Sequence, residues 1–284
     1  VRQMKLVRGV GRMAAMARML RRDGKSIGLV PTMGSLHDGH MSLVKAARRR
    51  ADVVVVSIFV NPMQFGPGED FRRYPRDLKG DEALARKAGV DIIFYPSAKE
   101  MYPGGYSTYV DVERLTDGLC GASRPGHFRG VTTVVAKLFG IIKPDLAYFG
   151  QKDAQQAVVV RKMAQDLNMG VEVKVMPTVR EKDGLAMSSR NAYLSESERK
   201  DAAVIYRALL KAKSMVAAGE RNARRLVRAI GRVISQKPSV KIEYISVVDA
   251  DGLSDIDSIS SESLIAVAAR AGKTRLIDNI IVKG

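Results

Sequence analysis

An α/β fold with a doubly wound, largely parallel sheet, followed by a smaller α+β lid domain, is the architecture this sequence predicts. Three observations carry that expectation. Short apolar runs alternate with amphipathic helical stretches from residue 27 to residue 176, the pattern of strands joined by crossover helices. The run DVVVVSIFV at 52–60 is too apolar for a strand with one wet face and suits a central parallel strand covered on both sides. After Pro177 the order changes to long helices followed by strands, which argues for a separate α+β unit. The expected boundary places the α/β domain at 1–176 and a lid at 177–284.

Taken in order, residues 1–22 are basic and lack a compact apolar core, so they read as an amphipathic first helix and not as a targeting peptide. Residues 27–30 form a buried strand, and 41–47 a helix with Met41, Val44 and Ala47 on its apolar face. The strand at 52–60 follows, then a helix at 77–88 stopped by Gly89. A strand at 91–95 ends at Pro96. The helix at 130–142 ends where Lys143 precedes Pro144. A strand at 145–149, a helix at 154–168 and a strand at 171–176 complete the first domain. In the second, helices are expected at 196–218 and 222–236, and strands at 241–248, 263–268 and 275–281.

Composition narrows the function classes. Hydrophobic residues make up 46% of the 284 residues, enough for packed cores and against global disorder. The single cysteine, Cys120, cannot form an internal disulfide, which fits a reducing compartment and a buried small side chain. No apolar run approaches the length of a membrane span. The formal net charge is +17, a balance that suits nucleic acid or small anionic substrates. The arginines are scattered, no basic tract is interleaved with aromatics, and there is no Trp. Small anions are therefore preferred, and no specific nucleic-acid or membrane partner is expected.

The chemistry gathers in loops that follow strands. Two of the three histidines, His37 and His40, lie in PTMGSLHDGH at 31–40, between a strand and a helix. Glycines there let the backbone turn sharply, and a helix N-terminus with imidazole donors beside it suits phosphate. A polar turn capping the helix is the plainer alternative. Asn61 and Gln64, in NPMQFG after the second strand, can each donate and accept hydrogen bonds. They suit a substrate of mixed polarity, or an ordinary turn. In GQKD, Gly150 lets a ligand lie against the backbone, Lys152 offers a mobile charge to phosphate, and Asp153 can accept from two ribose hydroxyls. Gln156 lies one helical turn further on. The run Met187, Ser188, Ser189, Arg190 places two hydroxyls and a guanidinium within four residues, a phosphate clamp or a helix cap. Arg124 and His127 precede a buried helix and again suit an anion, with His127 read as a structural cap.

The string at 31–40 resembles the His-x-Gly-His signature of the nucleotidyltransferase superfamily, which includes class I aminoacyl-tRNA synthetases and small adenylyltransferases. Met187 to Arg190 resembles the second, Lys-Met-Ser-Lys-Ser type loop of that superfamily. Together with NPMQFG and GQKD, the longer string resembles the pantoate–beta-alanine ligase (pantothenate synthetase) family. The resemblance covers nearly the whole chain, most densely from Pro31 to Leu194. It implies a Rossmann-like first domain and a smaller second one. The implied reaction is ATP-dependent condensation of (R)-pantoate with beta-alanine to pantothenate, AMP and pyrophosphate through a pantoyl adenylate, in a cytoplasmic homodimer using Mg²⁺.

Carried onto this chain, the resemblance implies that ATP is held by Met33, Gly34, Ser35, Leu36, His37, Asp38, Gly39 and His40. Gly150, Gln151, Lys152 and Asp153 add to that set, as do Val179 beside the adenine and Met187, Ser188, Ser189 and Arg190 at the phosphates. His40 is the expected principal catalytic residue, with His37 and Lys152 stabilising charge. Met33, Asn61, Gln64, Arg124 and Gln156 are expected at pantoate and beta-alanine, with Gln64 touching both. Asp81 is expected to hold Mg²⁺ through water. Many family members carry Glu where this chain has Gln151, a change that keeps the hydrogen-bonding shape. Two further readings stand beside this one: another small-molecule adenylyltransferase, and an RNA-binding protein related to the synthetases.

Overall fold

The computed structural model describes residues 3–284. Val1 and Arg2, which the expected first helix includes, lie outside the described residues. The chain forms two compact units. The first comprises the described residues as far as Glu113, together with Arg124–Gly150 and Gln156–Pro177. The second comprises Arg114–Ser123, Gln151–Gln155 and Thr178–Gly284. A single cut after residue 176 does not separate them, because two short segments depart from the first unit. Their own hydrogen bonds tie them into the second. The Gln155 side chain accepts from Cys120 N at 2.9 Å and donates to the carbonyls of Leu115 and Gly118. Asn279 holds the carbonyls of Gln151 and Lys152.

The first unit is built on a six-stranded sheet. Its strands are β1 (Lys5–Val7), β2 (Ile27–Thr32), β3 (Val53–Ile58), β4 (Ile92–Phe94), β5 (Leu146–Gly150) and β6 (Glu172–Met176). They pair in the order β1-β4-β3-β2-β5-β6, every pair parallel. The expected doubly wound parallel sheet is therefore what the chain forms. β3 is buried along its whole length, as its unbroken apolar run requires. Helices α1 (Val10–Arg22), α2 (Asp38–Arg48), α3 (Leu78–Lys87), α4 (Ala98–Met101), α5 (Leu119–Ser123), α6 (His127–Ile142) and α7 (Ala154–Asp166) join the strands; α5 belongs to the second unit. Met41, Val44 and Ala47 of α2 are buried with Val30 and Val54 of the sheet. Gly89 takes a φ of +82° where α3 stops, a backbone state that costs glycine little.

Two elements of the first unit depart from expectation. The N-terminal stretch is not one helix, since β1 occupies Lys5–Val7 before α1 begins. A three-residue edge strand is too short to show a periodicity of its own. The helix expected from residue 130 begins one turn earlier, at His127, after Gly126 with φ +78°.

Strand order positions the site. From β2 the chain moves outward through β3 and β4, then returns to place β5 on the other side of β2. In open parallel sheets ligands bind outside the carboxyl ends of strands at such a reversal. Thr32, Ile58 and Gly150 end β2, β3 and β5 on that edge, so the loops after them are the ones to inspect.

The second unit carries a three-stranded antiparallel sheet, β7 (Val240–Asp249), β8 (Ser263–Ala271) and β9 (Thr274–Val282), in that order. Its helices are α8 (Glu196–Ala202), α9 (Val204–Ala217) and α10 (Ala223–Ile234). Leu209, Leu226 and Ile230 pack with Ile265 and Val267 in its core. The single helix expected at 196–218 is divided at Ala203, whose ψ of −15° departs from the helical value. No glycine or proline marks that break. Among the described residues no helix is long and apolar enough to cross a membrane.

Candidate active site

The loop after β2 is held from below. Thr32 Oγ1 donates to Ser57 O at 2.8 Å and accepts from Gly34 N at 3.2 Å. Gly34 has φ +85°, and a Cβ there would lie 2.9 Å from Ile58 Cγ2 and 3.0 Å from Asp81 Oδ2. Only glycine meets both demands without strain. Asp81, buried on α3, accepts from Ser35 N at 3.0 Å and from Leu36 N at 2.6 Å, one with each oxygen. Burial pushes its carboxyl above the usual carboxylate range, while the two N–H groups pull it back. Asp81 was expected to hold Mg²⁺ through water. In the fold each of its oxygens accepts one N–H of the loop after β2.

His37 and His40 flank the first turn of α2. His37 Nδ1 accepts from Gly39 N at 3.2 Å, and His40 Nδ1 accepts from His37 N at 3.3 Å. A backbone N–H can only donate, so each Nδ1 is an acceptor and each neutral ring carries its proton on Nε2. The ring centroids are 4.1 Å apart. The capping role and the anion role are therefore compatible. Each ring caps the helix with one nitrogen and carries an N–H donor on the other, beside a positive helix terminus. Met33, Gly34, Ser35, Leu36, Asp38 and Gly39 complete this loop.

The loop after β3 meets it. Gln64 Nε2 lies 3.1 Å from Met33 Sδ, so the NPMQF turn touches the histidine loop. Asn61 and Gln64 are both buried, and Asn61 Nδ2 donates to Gln64 Oε1 at 3.1 Å and to Gly130 O at 3.0 Å. Gly130 is what lets the turn approach α6. A Cβ on it would collide with the Met63 carbonyl and lie 2.6 Å from Gln64 N.

Arg124 does not stand open to an anion from solution. Its guanidinium grips Glu69 through Nε at 2.7 Å and Nη2 at 2.6 Å, and Nη2 also reaches Gln64 O at 3.2 Å. Burial raises the pKa of Glu69, but the bonds and charge of Arg124 outweigh it and hold the carboxyl below its usual range. His127 does not cap its own helix. Its Nδ1 donates to Gln64 O at 2.8 Å, and its Nε2 accepts from Arg124 Nη1 at 2.9 Å. Both residues brace the backbone of Gln64.

In the second unit β9 gathers the remaining candidates. Asn279 Nδ2 donates to Gln151 O at 2.9 Å and Lys152 O at 3.0 Å, while Gln151 Nε2 returns a bond to Asn279 Oδ1 at 3.0 Å. Lys152 Nζ is 3.4 Å from Asp153 Oδ1. The 3₁₀ turn Ser189–Tyr193 also packs against β9. Ser188 caps it, accepting from Arg190 N at 3.3 Å. The cap of α8 is a different residue, Ser195, in a reciprocal box with Glu198. Val179 O accepts from Met187 N at 3.0 Å, so the adenine and phosphate candidates share one small hairpin. Gln156 lies in the first turn of α7, in the first unit.

Sequence reasoning missed Glu69, Tyr102 and Asn279. Tyr102 donates to Asn61 Oδ1 at 2.8 Å. None of the three sits in a motif, and each reaches its partner across more than 40 residues of chain. The one available signal was an excess of polar residues in stretches otherwise apolar, as at Asp278 and Asn279 within TRLIDNIIV.

Comparison with known proteins gives a consistent set of relatives. The family model described as pantoate-beta-alanine ligase matches residues 5–281. A pantothenate synthetase of Heliobacterium modesticaldum is 58% identical over 99% of this chain and 100% of its own length. That of Acetivibrio thermocellus is 54% identical with the same coverage. Among solved structures, pantothenate synthetase from Thermus thermophilus superposes with a TM-score of 0.94 at 47% identity, covering 99% of this chain and 100% of that one. A pantoate-beta-alanine ligase from Francisella tularensis, complexed with beta-gamma ATP and beta-alanine, gives a TM-score of 0.82 at 35% identity over 98% of both chains.

Proposed function

The chain belongs to the pantoate–beta-alanine ligase family, and from that premise we propose how its residues carry out the ligation. The protein is an ATP-dependent enzyme that joins pantoate to beta-alanine, giving pantothenate, AMP and pyrophosphate. In the first step the pantoate carboxylate attacks the α-phosphorus of ATP. A pantoyl adenylate forms and pyrophosphate leaves. In the second, the amine of beta-alanine attacks the activated carbonyl and AMP departs.

The observation that carries this reading is the shared tautomer of the two histidines. With both Nδ1 atoms accepting main-chain N–H groups, His37 and His40 bring Nε2–H donors to the helix N-terminus, where negative charge grows on the phosphates during attack. A neutral Nε2–H cannot take a proton, so His40 acts as a donor that stabilises charge. Lys152, Ser188, Ser189 and Arg190 attend the outer phosphates and favour pyrophosphate as leaving group. Asp153 accepts from the ribose hydroxyls, Gly150 and Gln151 line it, and Val179 and Met187 border the base. Gln64, Gln156 and Met33 bind the two acids, and Asn61 serves them through Gln64, to whose Oε1 its amide donates. Arg124 serves them indirectly, by bracing Gln64. Much of the second step comes from holding amine and acyl adenylate together.

Among the described residues no three carboxylate, imidazole or thiolate groups gather to hold a metal ion. Where Mg²⁺ accompanies ATP, triphosphate oxygens and water would hold it. The enzyme is proposed to work in the cytoplasm as a homodimer, as the family resemblance implies.

The test is isotopic. Pantoate alone should support exchange of labelled pyrophosphate into ATP. Pantoate labelled with heavy oxygen in its carboxylate should deliver one labelled oxygen to AMP in the complete reaction, with pantothenate identified by mass spectrometry. Label in inorganic phosphate, with accumulation of ADP, would overturn both the adenylate and the roles given to the histidines.

A further inference from the structure

Gln64 is reached by a chain of hydrogen bonds whose direction is set by the main chain. Asn61 Oδ1 accepts from Met63 N at 3.3 Å, and Asn61 Nδ2 donates to Gly130 O at 3.0 Å. A backbone N–H only donates and a backbone carbonyl only accepts, so the Asn61 amide has one possible orientation. The Tyr102 hydroxyl, 2.8 Å from Oδ1, faces a carbonyl oxygen and must donate. The second N–H of Asn61 lies 3.1 Å from Gln64 Oε1, which must accept. The Gln64 amide is thereby turned with its NH₂ group away from Asn61 and against Met33 Sδ, a weak acceptor that a better one can replace.

Tyr102 is equipped to start this chain. Its ring centroid lies 6.1 Å from that of Phe59 and 5.0 Å from that of Tyr106. Lys137 Nζ is 5.8 Å from the ring. The ring is thus fixed by contacts on several sides, and burial raises the phenol pKa, so the hydroxyl keeps the proton it donates.

We infer that Tyr102 is a positioning residue for the acid substrate, acting through Asn61 to hold Gln64 with its N–H donors toward the ligand. The site then takes an acceptor at that point, a carboxylate or hydroxyl oxygen, and disfavours a donor such as an ammonium group. The polarity serves the order of the reaction. It matches pantoate, which is rich in acceptors, and turns away the amine end of beta-alanine. This rests on the reading of Gln64 as a pantoate contact.

The experiment is a double-mutant cycle of Tyr102→Phe and Gln64→Ala in the full chain, with KM for pantoate and for ATP, kcat, and thermal melting. Tyr102→Phe keeps the ring and removes only the donor. It is expected to raise the pantoate KM about tenfold, the effect of roughly one positioned hydrogen bond. KM for ATP and the melting temperature stay near wild type. In the Gln64→Ala background the same change should add nothing, because the group it positions is gone. Effects that multiply in the double variant would mean that Tyr102 acts independently of Gln64, and would sink the inference while leaving the Gln64 reading intact. A pantoate KM unmoved by Gln64→Ala would end that reading, and the inference with it. Should Tyr102→Phe not fold, Asn61→Asp serves instead. It keeps the acceptor toward Tyr102 and puts an oxygen where Gln64 needs a donor, so the same selective rise is expected. An unchanged pantoate KM there overturns the inference.

Discussion

His40 Nδ1 accepts the backbone N–H of His37 at 3.3 Å, so one ring both closes the first turn of α2 and carries a donor on its far nitrogen. The two duties can be separated by substitution. His40→Asn offers an amide oxygen for the same N–H but has no Nε2 to extend as far. We expect turnover to fall by about 10²- to 10⁴-fold while the melting temperature stays near wild type. His40→Ala should lose the same activity and, in addition, about 1 kcal/mol of stability through the lost cap. Turnover and melting measured on both variants decide the matter; near-normal turnover in His40→Asn would remove the ring from the chemistry.

The Glu69–Arg124 pair predicts a pH-dependent difference. Glu69 has its folded pKa held below the ordinary value, so its contribution is present above that value and is lost as pH falls through the folded pKa. Arg124→Gln removes the partner and leaves burial, which raises the pKa. The variant should be less stable than the parent by about 2 kcal/mol near pH 7, the scale of charge-assisted hydrogen bonds. That gap should close as pH drops from about 5 towards 3. Urea titrations at several pH values read it directly, and a gap independent of pH would contradict the assignment.

Two glycines of α6 should respond oppositely to alanine. At Gly130 the added carbon would meet the Met63 carbonyl and Gln64 N, and overpacking costs about 1–3 kcal/mol. The displaced turn should also raise the pantoate KM. At Gly140 nothing lies within 4 Å of the added carbon, and alanine should stabilise the helix by about 0.5–1 kcal/mol. Equal effects at the two positions would mean that the NPMQF turn does not depend on close approach to α6.

Asn279→Ala strands the carbonyls of Gln151 and Lys152. We expect the KM for ATP to rise about five- to tenfold, with the pantoate KM much less affected, since Lys152 and Asp153 are read as nucleotide contacts. A selective rise for pantoate instead would reassign that turn.

What the sequence disclosed and what it hid follow different physics. β3 was legible because a covered parallel strand needs an unbroken apolar run, and α2 because Met41, Val44 and Ala47 repeat with helical spacing. β1 was hidden because three residues carry no period. The histidine loop could be read locally, since its glycines and imidazoles are contiguous. The pairings that orient it could not. Asp81 lies 46 residues from Ser35, Glu69 lies 55 from Arg124, and Tyr102 lies 41 from Asn61. For Arg124 and Asp81, charge and the family resemblance suggested a ligand or a metal, and the fold reveals the partners each has within the protein. Gln64 was singled out by its motif, but its orientation is a property of three separate segments.

The clasp of Asp81 on the histidine loop also sets an order of assembly. Ser35 and Leu36 precede their acceptor by 46 and 45 residues, so β2, α2 and β3 can be synthesised and paired before the clasp exists. Until α3 docks, the loop contains every residue of PTMGSLHDGH, but Ser35 N and Leu36 N lack the acceptor they have in the fold. The loop proposed to meet the nucleotide is therefore completed by a helix that supplies none of the residues proposed at the phosphates.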